Sequence, residues 1–557
     1  MAFTKEMPPP TATPAVFKPP SAQAESHDRL QEWFAAHSSL VVFMILACGF
    51  FWRAWTAWGT FFNPDEAQHV LLADRATWAA SYKASLVTAH PPGLIFVLYG
   101  WNEIGGSEFW LRLPSVIAGT VFCWLAFRWL RVLCGQTVAW IGLLFFAFLP
   151  PLITLSAEVR QYALMLAFCA ASAYFLESSL ARNSAIRMLW SGVWLLGAMT
   201  FHYSAFLFAA AVGTYTLLRL IVDRQPVRVF LAWIIGQAAG LALGRFFYQS
   251  QLLQLANDPN GQGTQHWIDS YLHNVFFHAG EDSAAHFIFA RTFGVFQFLF
   301  GQLAVGDVAC VLFIGAIVWL LWSRGLQSQV ATRRRLTAVL LTLPFVLNCS
   351  AALLDKYPYG GTRHSTFLSL FALAGVSLAI ATVTRQKLAR ALVVAVMILL
   401  ACHLFGKPRR PFILRADQQV ENMDQALAVI RTLPASDPIL LDGQSNLMLQ
   451  HYLCEGELAI GDTPVPGLKH FHCGMYQFYG AGANTPVFTV QSFAQRWQEL
   501  IERYALKPGT TVHVVQMGWD VDLADQLLKS DEFHDLEVER FGKNIVIFTL
   551  DAGHPMP

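Results

Sequence analysis

Long apolar runs alternate with short polar turns over most of the first 400 residues. A helix needs about 20 mainly apolar residues to cross the hydrocarbon core of a bilayer. The pattern predicts about eleven transmembrane helices of this kind, at residues 38–57, 108–129, 136–155, 161–180, 188–202, 204–221, 229–248, 307–323, 337–354, 364–383 and 390–406. The run at 285–304 carries Arg291 near its middle, so we interpret it as an interfacial or re-entrant helix.

The two ends of the chain have a different pattern. Residues 1–37 are rich in proline, alanine and serine, and we expect this cytoplasmic segment to be disordered. Residues 412–557 contain the β-type runs DPILLDG, TPVFTV, TVHVVQMGW and NIVIFTL between amphipathic stretches. Strands that alternate with helices predict a soluble α/β domain. The predicted transmembrane domain is therefore residues 38–411, with long outer loops at 58–107 and 249–306.

Basic residues indicate how the helices are oriented. If the N-terminus lies inside, the short inside loops carry 14 of them, namely Arg128, Arg131, Arg182, Arg187, Arg219, Arg224, Arg228, Arg324, Arg333, Arg334, Arg335, Arg385, Lys387 and Arg390. Short cytoplasmic loops of membrane proteins are enriched in lysine and arginine. The pattern therefore predicts a cytoplasmic N-terminus and, after an odd number of helices, an extracytoplasmic C-terminal domain.

Composition supports a membrane protein and excludes some partners. The 557 residues are 55% hydrophobic and only 13% charged, whereas soluble domains are about 25% charged. A net charge of +1 offers no basic surface for nucleic acid. Seven of the nine cysteines lie in or beside apolar runs, while Cys454 and Cys473 lie in the polar C-terminal region. These two would be able to pair in an oxidising compartment, but their spacing leaves the pairing open.

Acids and a histidine follow the first predicted helix, at its outer end. Asp65 and Glu66 occur in FFNPDEAQHV, where a carboxylate can take the proton of an attacking hydroxyl. The alternative is that both acids only stabilise the start of a short helix. His90 precedes two prolines in AHPPG, and Arg112 opens the second membrane helix in EFWLRLPSVIAG. His90 is a candidate for a phosphate or metal ligand, with a surface histidine in a turn as the alternative. Arg112 is either functional or an interfacial anchor.

Two later outer turns carry further charges. The turn AEVRQYAL contains Glu158 and Arg160, which either approach the first loop or form an exposed ion pair of little energetic value. The segment LLDKYPYGGTRHS contains Lys356, Arg363 and His364. Cations at one membrane face suit a phosphate or pyrophosphate, and the alternative is side chains that extend from the membrane to water.

The order of these segments resembles the GT-C glycosyltransferases, above all the group of protein O-mannosyltransferases, aminoarabinose transferases and rhizobial lipopolysaccharide galacturonosyltransferases. EVRQYAL and LRLPSVIAG are the most specific pieces, and the likeness extends over about residues 40–400. The resemblance implies a polytopic α-helical membrane protein in a bacterial inner membrane. It implies inverting transfer of a hexosyl or pentosyl group from a polyprenyl-phosphate carrier to a lipid, glycan or protein acceptor at the outer face.

The resemblance also assigns roles to the residues that match its motifs. It implies that Asp65 is the catalytic base or orients the acceptor, and that Glu66 is its catalytic neighbour. The residues expected to bind the donor phosphate are His90, Arg160, Arg363 and Lys356. The expected supporting residues are Glu158, Tyr162, His364 and Arg112. The only cofactor that the resemblance suggests is a divalent metal, which Glu66 and His90 would hold.

Two departures from the family leave the identity of the donor open. Relatives often have tyrosine where this chain has His364, and a lysine near position 200, where this chain has TFHYSAF with His202. Other functions also stay open at this point. A transporter or flippase of lipid-linked sugars would need ionisable residues deep in the bilayer. The remaining alternatives are an O-antigen-ligase-like transferase and an inactive sensor whose C-terminal domain binds glycan.

Overall fold

The computed structural model describes residues 33, 36–86, 88–257, 271–322, 328–406, 417–454, 467–482, 485–529, 533 and 536–553. The expected disorder of the N-terminus concerns residues 1–37, most of which lie outside the described residues, as do parts of the second outer loop and of the link to the C-terminal domain. The described residues form a helical membrane domain followed by a domain built on one β-sheet.

The membrane domain contains seventeen helices within the described ranges. They are α1 (Ser38–Ala57), α2 (Pro64–Ala73), α3 (Trp78–Ser85), α4 (Gly93–Asn102), α5 (Glu108–Cys134), α6 (Gln136–Phe148), α7 (Pro150–Thr154), α8 (Tyr162–Arg182), α9 (Ala185–Phe201), α10 (Ser204–Val222), α11 (Val227–Phe247), α12 (Leu253–Asn257), α13 (Ala284–Phe300), α14 (Leu303–Leu321), α15 (Ser328–Leu353), α16 (Ser369–Val383) and α17 (Leu388–Phe405). A π-helical turn (Tyr248–Leu252) joins α11 to α12, and 3₁₀ turns occupy His273–Val275 and Arg363–Leu368.

All eleven predicted transmembrane runs are helical. In the described part of the chain, nine helices are long and apolar enough to cross a membrane, namely α1, α5, α8, α10, α11, α14, α15, α16 with the 3₁₀ turn before it, and α17. The other two predicted runs form α6 and α9, which have 13 and 17 residues. The run at 285–304 forms α13, which ends where Gly301 adopts a left-handed conformation with φ 67°.

Prolines end α6 earlier than the apolar run predicts, and Arg53 satisfies the carbonyl groups exposed by the break. Pro150 and Pro151 have no N–H to donate to the carbonyls four residues earlier, those of Phe146 and Ala147. The buried guanidinium of Arg53, in α1, donates to both oxygens at 2.8 Å. A charge inside the membrane domain therefore has a structural role here: it joins α1 to the end of α6.

The C-terminal domain is a six-stranded mixed sheet with helices. Its strands lie in the order β2-β3-β1-β4-β6-β5, and β1 pairs in parallel with β3 and β4 whereas the other pairs are antiparallel. The strands are β1 (Pro438–Leu441), β2 (Leu468–Cys473), β3 (Tyr476–Ala481), β4 (Thr511–Met517), β5 (Val538–Phe541) and β6 (Ile545–Asp551). The helices are α18 (Val420–Thr432), α19 (Gly443–Leu453), α20 (Val490–Tyr504) and α21 (Leu523–Leu527). The predicted fold class, a polytopic helical membrane protein with a C-terminal α/β domain, is confirmed.

Three of the four predicted strand runs form β1, β4 and β6, but TPVFTV is not a strand. Pro486 lacks the N–H that a ladder requires, and Thr489 caps α20 by accepting the N–H of Ser492. In the described ranges, Cys454 and Cys473 form a disulfide that joins the end of α19 to the end of β2.

Candidate active site

The start of α2 carries the two acids that follow the first membrane helix, and the backbone there gives them different surroundings. Asn63 is the N-cap: its side chain accepts the N–H of Glu66 at 3.0 Å, and the Glu66 carboxylate accepts the N–H of Asn63 at 3.1 Å. Pro64 occupies the first turn, where its fixed φ suits a helix and no N–H is needed. Helix capping therefore involves Glu66, while the carboxylate of Asp65 makes other contacts.

Asp65 lies between two arginines that come from distant parts of the chain. Its Oδ2 is 2.9 Å from Nη1 of Arg160 and 2.6 Å from Nη2 of Arg363, and the three side chains are no more than 9% exposed. Burial alone would raise the pKa of Asp65, but the two guanidinium groups lower it to about 2. The first loop, the α7–α8 turn and the 3₁₀ turn before α16 therefore meet at one charged centre.

Glu66 forms a second buried ion pair, with Arg112 of α5. Oε1 accepts from Nε of Arg112 at 2.7 Å and Oε2 from Nη2 at 2.8 Å, with both side chains 0% exposed. Oε1 also accepts the N–H of Val159 at 2.8 Å, which joins α2 to the turn that carries Glu158 and Arg160. Since Arg112 is fully buried, it is not an interfacial anchor. It holds Glu66, and through Glu66 the turn that contains Val159 is joined to α5 and the first loop.

Glu158 and its neighbours complete the acidic part of the site. Glu158 is 2% exposed and makes no ion pair within the described chain, because Arg160 pairs with Asp65 instead. Burial, together with the nearby charges of Glu66 and Asp65, raises the pKa of Glu158 to about 7, although Arg363 and Arg160 oppose the shift. The interpretation of Glu158 and Arg160 as an exposed ion pair is therefore wrong.

Four histidines lie in a row beside the charged centre. The ring centroids of His69 and His90 are 6.2 Å apart, those of His90 and His202 are 5.3 Å apart, and those of His202 and His364 are 6.2 Å apart. Burial and the positive charge of Arg160 lower the pKa of His69 to about 4. This imidazole is therefore neutral at pH 7, and the arginines supply the positive charge.

Several polar atoms around this centre have no partner. Within the described residues, the buried atoms without a hydrogen-bond partner include Nδ1 of His90 and His364, Nε of Arg160 and Arg363, and the hydroxyl of Tyr162. The guanidinium carbon of Arg160 also lies 5.6 Å from the ring centroid of Tyr162. Buried polar groups in proteins nearly always have partners. Unpaired donors grouped beside two arginines are typical of a site that binds a polar, anionic ligand.

The structure brings most of the predicted site residues together. Lys356 is the exception: it is exposed after the end of α15, makes no ion pair in the described ranges and lies outside the charged centre. His69, to which the sequence motifs assigned no role, also lies in the site, where its Nδ1 is 2.6 Å from the carbonyl oxygen of Asp65. The sequence did contain a sign of this position: His69 is four residues after Asp65, and residues with that spacing share one face of a helix.

The donor set of the site does not fit a metal. Both Glu66 oxygens accept hydrogen bonds from Arg112 and the backbone. No group of three or more histidine, cysteine, aspartate or glutamate side chains arranged to hold a metal ion occurs in the described part of the chain. The carboxylate of Glu66 is therefore not available to hold a metal together with His90.

Fold and site together define a multi-pass membrane protein with a buried, arginine-rich centre at one end of its helices. Comparisons with known proteins show which families and structures this architecture resembles. Residues 89–245 match the family model of dolichyl-phosphate-mannose-protein mannosyltransferases. Crystal structures of ArnT from Cupriavidus metallidurans, in the apo state and bound to undecaprenyl phosphate, superpose with a TM-score of 0.51 at 13% and 15% identity, and the match covers 94% of this chain and 100% of ArnT.

A third structure is more distant. The oligosaccharyltransferase AglB from Archaeoglobus fulgidus, in complex with an inhibitory peptide and a dolichol-phosphate, has a TM-score of 0.46 at 9% identity, and the match covers 86% of this chain and 70% of AglB. No curated protein matches the sequence. The chain shares the fold of ArnT, a helical membrane domain followed by a C-terminal domain, in agreement with the fold class that its sequence predicted.

Proposed function

We propose that the chain is an inverting glycosyltransferase that moves a sugar from a polyprenyl-phosphate carrier to a lipid, glycan or protein acceptor. The observation that carries this proposal is the buried centre in which Asp65 lies between Arg160 and Arg363, beside unpaired hydrogen-bond donors. The match to the mannosyltransferase family model and the fold shared with ArnT, which has been crystallised with undecaprenyl phosphate, support it.

The two arginines are the groups best suited to bind the donor phosphate. A guanidinium forms short, paired hydrogen bonds with phosphate oxygens, and buried donors that face a developing charge lower the barrier for its formation. In the structure Arg160 and Arg363 are both directed at one oxygen of Asp65. A bound phosphate competes for these guanidinium groups and weakens their hold on Asp65.

Release of Asp65 prepares it to act as the base. With both guanidinium groups in place its pKa of about 2 makes it a weak proton acceptor, and efficient general bases have higher pKa values. Once the phosphate draws the arginines, Asp65 accepts the proton of the acceptor hydroxyl. The new bond forms between the acceptor oxygen and the anomeric carbon, the bond from that carbon to the phosphate oxygen breaks, and its electron pair leaves with the phosphate.

Glu158 and the histidines adapt the site to this anion. With a pKa raised to about 7, Glu158 is largely uncharged below neutral pH and does not repel the phosphate. His90 and His364 each hold an unpaired Nδ1, which offers a neutral hydrogen bond. We infer that Glu66 has a positioning role, because its carboxylate is already bonded to Arg112 and to the backbone.

The proposed orientation puts this centre on the outer face of a bacterial inner membrane. At the opposite end of the bundle, Arg219 pairs with Glu177 and Asp223, and Arg333 approaches Asp223. This end holds the basic turns that favour a cytoplasmic location. The donor group, hexosyl or pentosyl, is part of the proposal and follows from the resemblance.

Binding of radiolabelled undecaprenyl phosphate to the protein in nanodiscs tests the proposal. Because a hydrogen bond to a charged group contributes about 1.5–3 kcal/mol, Arg363→Met should weaken binding roughly 10- to 100-fold. Arg219→Met is the matched control, since Arg219 is also ion-paired and about as buried, with 10% of its side chain exposed against 8% for Arg363, yet lies at the opposite end. Equal binding by Arg363→Met and the wild-type protein would contradict the proposal.

A further inference from the structure

The C-terminal domain contacts the short segment that leads into α2. The N–H of Phe62 donates to the hydroxyl of Tyr452, at the end of α19, over 2.7 Å. The same hydroxyl donates to Oε1 of Glu108, in the first turn of α5, over 3.3 Å. One side chain of the C-terminal domain therefore joins the segment before Asp65 to a membrane helix.

Backbone hydrogen bonds also join the same segment to the start of the C-terminal domain. Where the chain enters the C-terminal domain, the N–H of Phe61 donates to the carbonyl of Gln418 at 3.0 Å, and the N–H of Val420 donates to the carbonyl of Gly59 at 3.2 Å. Gly518, after β4, has φ 116°, and a Cβ there would lie 2.7 Å from Cγ of Pro64. The domain thus lies directly against residues 59–64.

The membrane domain holds the opposite side of this segment. Nη2 of Arg112 donates to the carbonyl of Phe61 at 2.9 Å, and its guanidinium carbon lies 5.0 Å from the centroid of the Phe62 ring. As a result Phe61, Phe62 and Asn63 are at most 2% exposed. The loop immediately before Asp65 is therefore held between the two domains.

We propose that Tyr452 is a positioning residue for Asp65: its hydroxyl fixes the start of α2 and so places the carboxylate between Arg160 and Arg363. This inference rests on the proposed function. The arginines are held by other elements, the α7–α8 turn and the 3₁₀ turn before α16, so loss of the hydroxyl displaces Asp65 and leaves the phosphate site in place. The C-terminal domain is therefore part of the catalytic architecture.

Tyr452→Phe tests the inference, because it removes the hydroxyl and keeps the ring. Tyr504→Phe is the matched control: the hydroxyl of Tyr504 also bonds to the backbone, donating to Leu468 at 3.0 Å, but inside the C-terminal domain. A small misplacement of a reacting group can cost about 100-fold in rate. We expect kcat to fall roughly 10- to 100-fold in Tyr452→Phe, with KM for the donor within about twofold of wild type, and no change in Tyr504→Phe.

Amide hydrogen exchange gives a reading that does not depend on activity. Because the Phe62 N–H loses its acceptor, peptides that span residues 58–72 should exchange faster in Tyr452→Phe and at the wild-type rate in Tyr504→Phe. Unchanged kcat and unchanged exchange in Tyr452→Phe would overturn the inference, as would equal losses in both variants. If Tyr452→Phe is fully active while Asp65→Asn is inactive, the inference fails and the proposed function stands. Full activity of Asp65→Asn is the result that removes the proposed function itself.

Discussion

The buried pair of Glu66 and Arg112 makes a quantitative prediction about stability. Removal of one member of a buried ion pair typically costs about 3–5 kcal/mol, because it leaves an uncompensated charge. In Glu66→Gln, Arg112 still donates to oxygens of Ala57, Thr60 and Phe61, so we expect the lower end, about 3 kcal/mol. In Arg112→Met, the Glu66 carboxylate keeps only backbone N–H donors, and we expect a similar loss.

The double variant separates the ion pair from other effects. With both charges removed, neither side chain leaves a buried charge, so the combined loss should be about 3 kcal/mol smaller than the sum of the two single losses. The assay is equilibrium unfolding in mixed micelles of all four proteins. The exposed pair of Arg540 and Asp525, at 2.7 Å, serves as the control cycle, with an expected coupling of about 0–1 kcal/mol. If the loss of unfolding free energy in the double variant equals the sum of the two single losses, the ion pair of Glu66 and Arg112 does not have the assigned structural role.

Three further predictions follow from single features. Because the carboxyl of Glu158 has a pKa of about 7 and the phosphate itself titrates at about pH 6, the wild-type protein and Glu158→Gln should bind undecaprenyl phosphate similarly below pH 7, and the wild-type protein should bind it more weakly than Glu158→Gln above pH 7; the same pH dependence in both proteins would contradict the assignment. Replacement of Cys454 and Cys473 by serine opens a disulfide-closed loop and should lower the unfolding free energy of the C-terminal domain by about 3 kcal/mol, which chemical denaturation would measure; unchanged stability would count against a structural disulfide. Arg53→Met leaves the Ala147 carbonyl without its Arg53 donor and the Phe146 carbonyl with only the thiol of Cys123, and should cost about 1–3 kcal/mol, visible as a lower melting temperature in detergent; a melting temperature equal to wild type would refute the cap.

The sequence predicted the helices well because apolar length alone determines whether a segment can span a bilayer. It also predicted which segments share the site, since Asp65, Arg160 and Arg363 all follow or precede helices at the same end of the bundle. What it could not assign was the separate partner of each neighbouring acid. Asp65 and Glu66 are adjacent, yet one faces Arg160 and Arg363 while the other faces Arg112.

Long-range contacts explain most of what the sequence did not predict. Tyr452 bonds to Phe62 across 390 positions, and no local pattern marks such a pair. The strands β2 and β3 were missed because LKHFHC and YQFYGA mix histidine, lysine and glycine with aromatic residues. Lys356 has the positive charge expected of a phosphate ligand, but it lies on the exposed side of its turn. The charge of a residue does not show which side of a turn it occupies.

The most direct measurement of the central claim is sugar transfer from a synthetic radiolabelled polyprenyl-phosphate sugar by the purified Asp65→Asn protein. Asp442→Asn is the control, because Asp442 is also a buried aspartate, caps α19 in the C-terminal domain, and asparagine caps helices equally well. We expect transfer to be lost in Asp65→Asn and retained in Asp442→Asn, with undecaprenyl phosphate bound by both. Sugar transfer by Asp65→Asn at the wild-type rate would contradict the proposed role of Asp65 as the base.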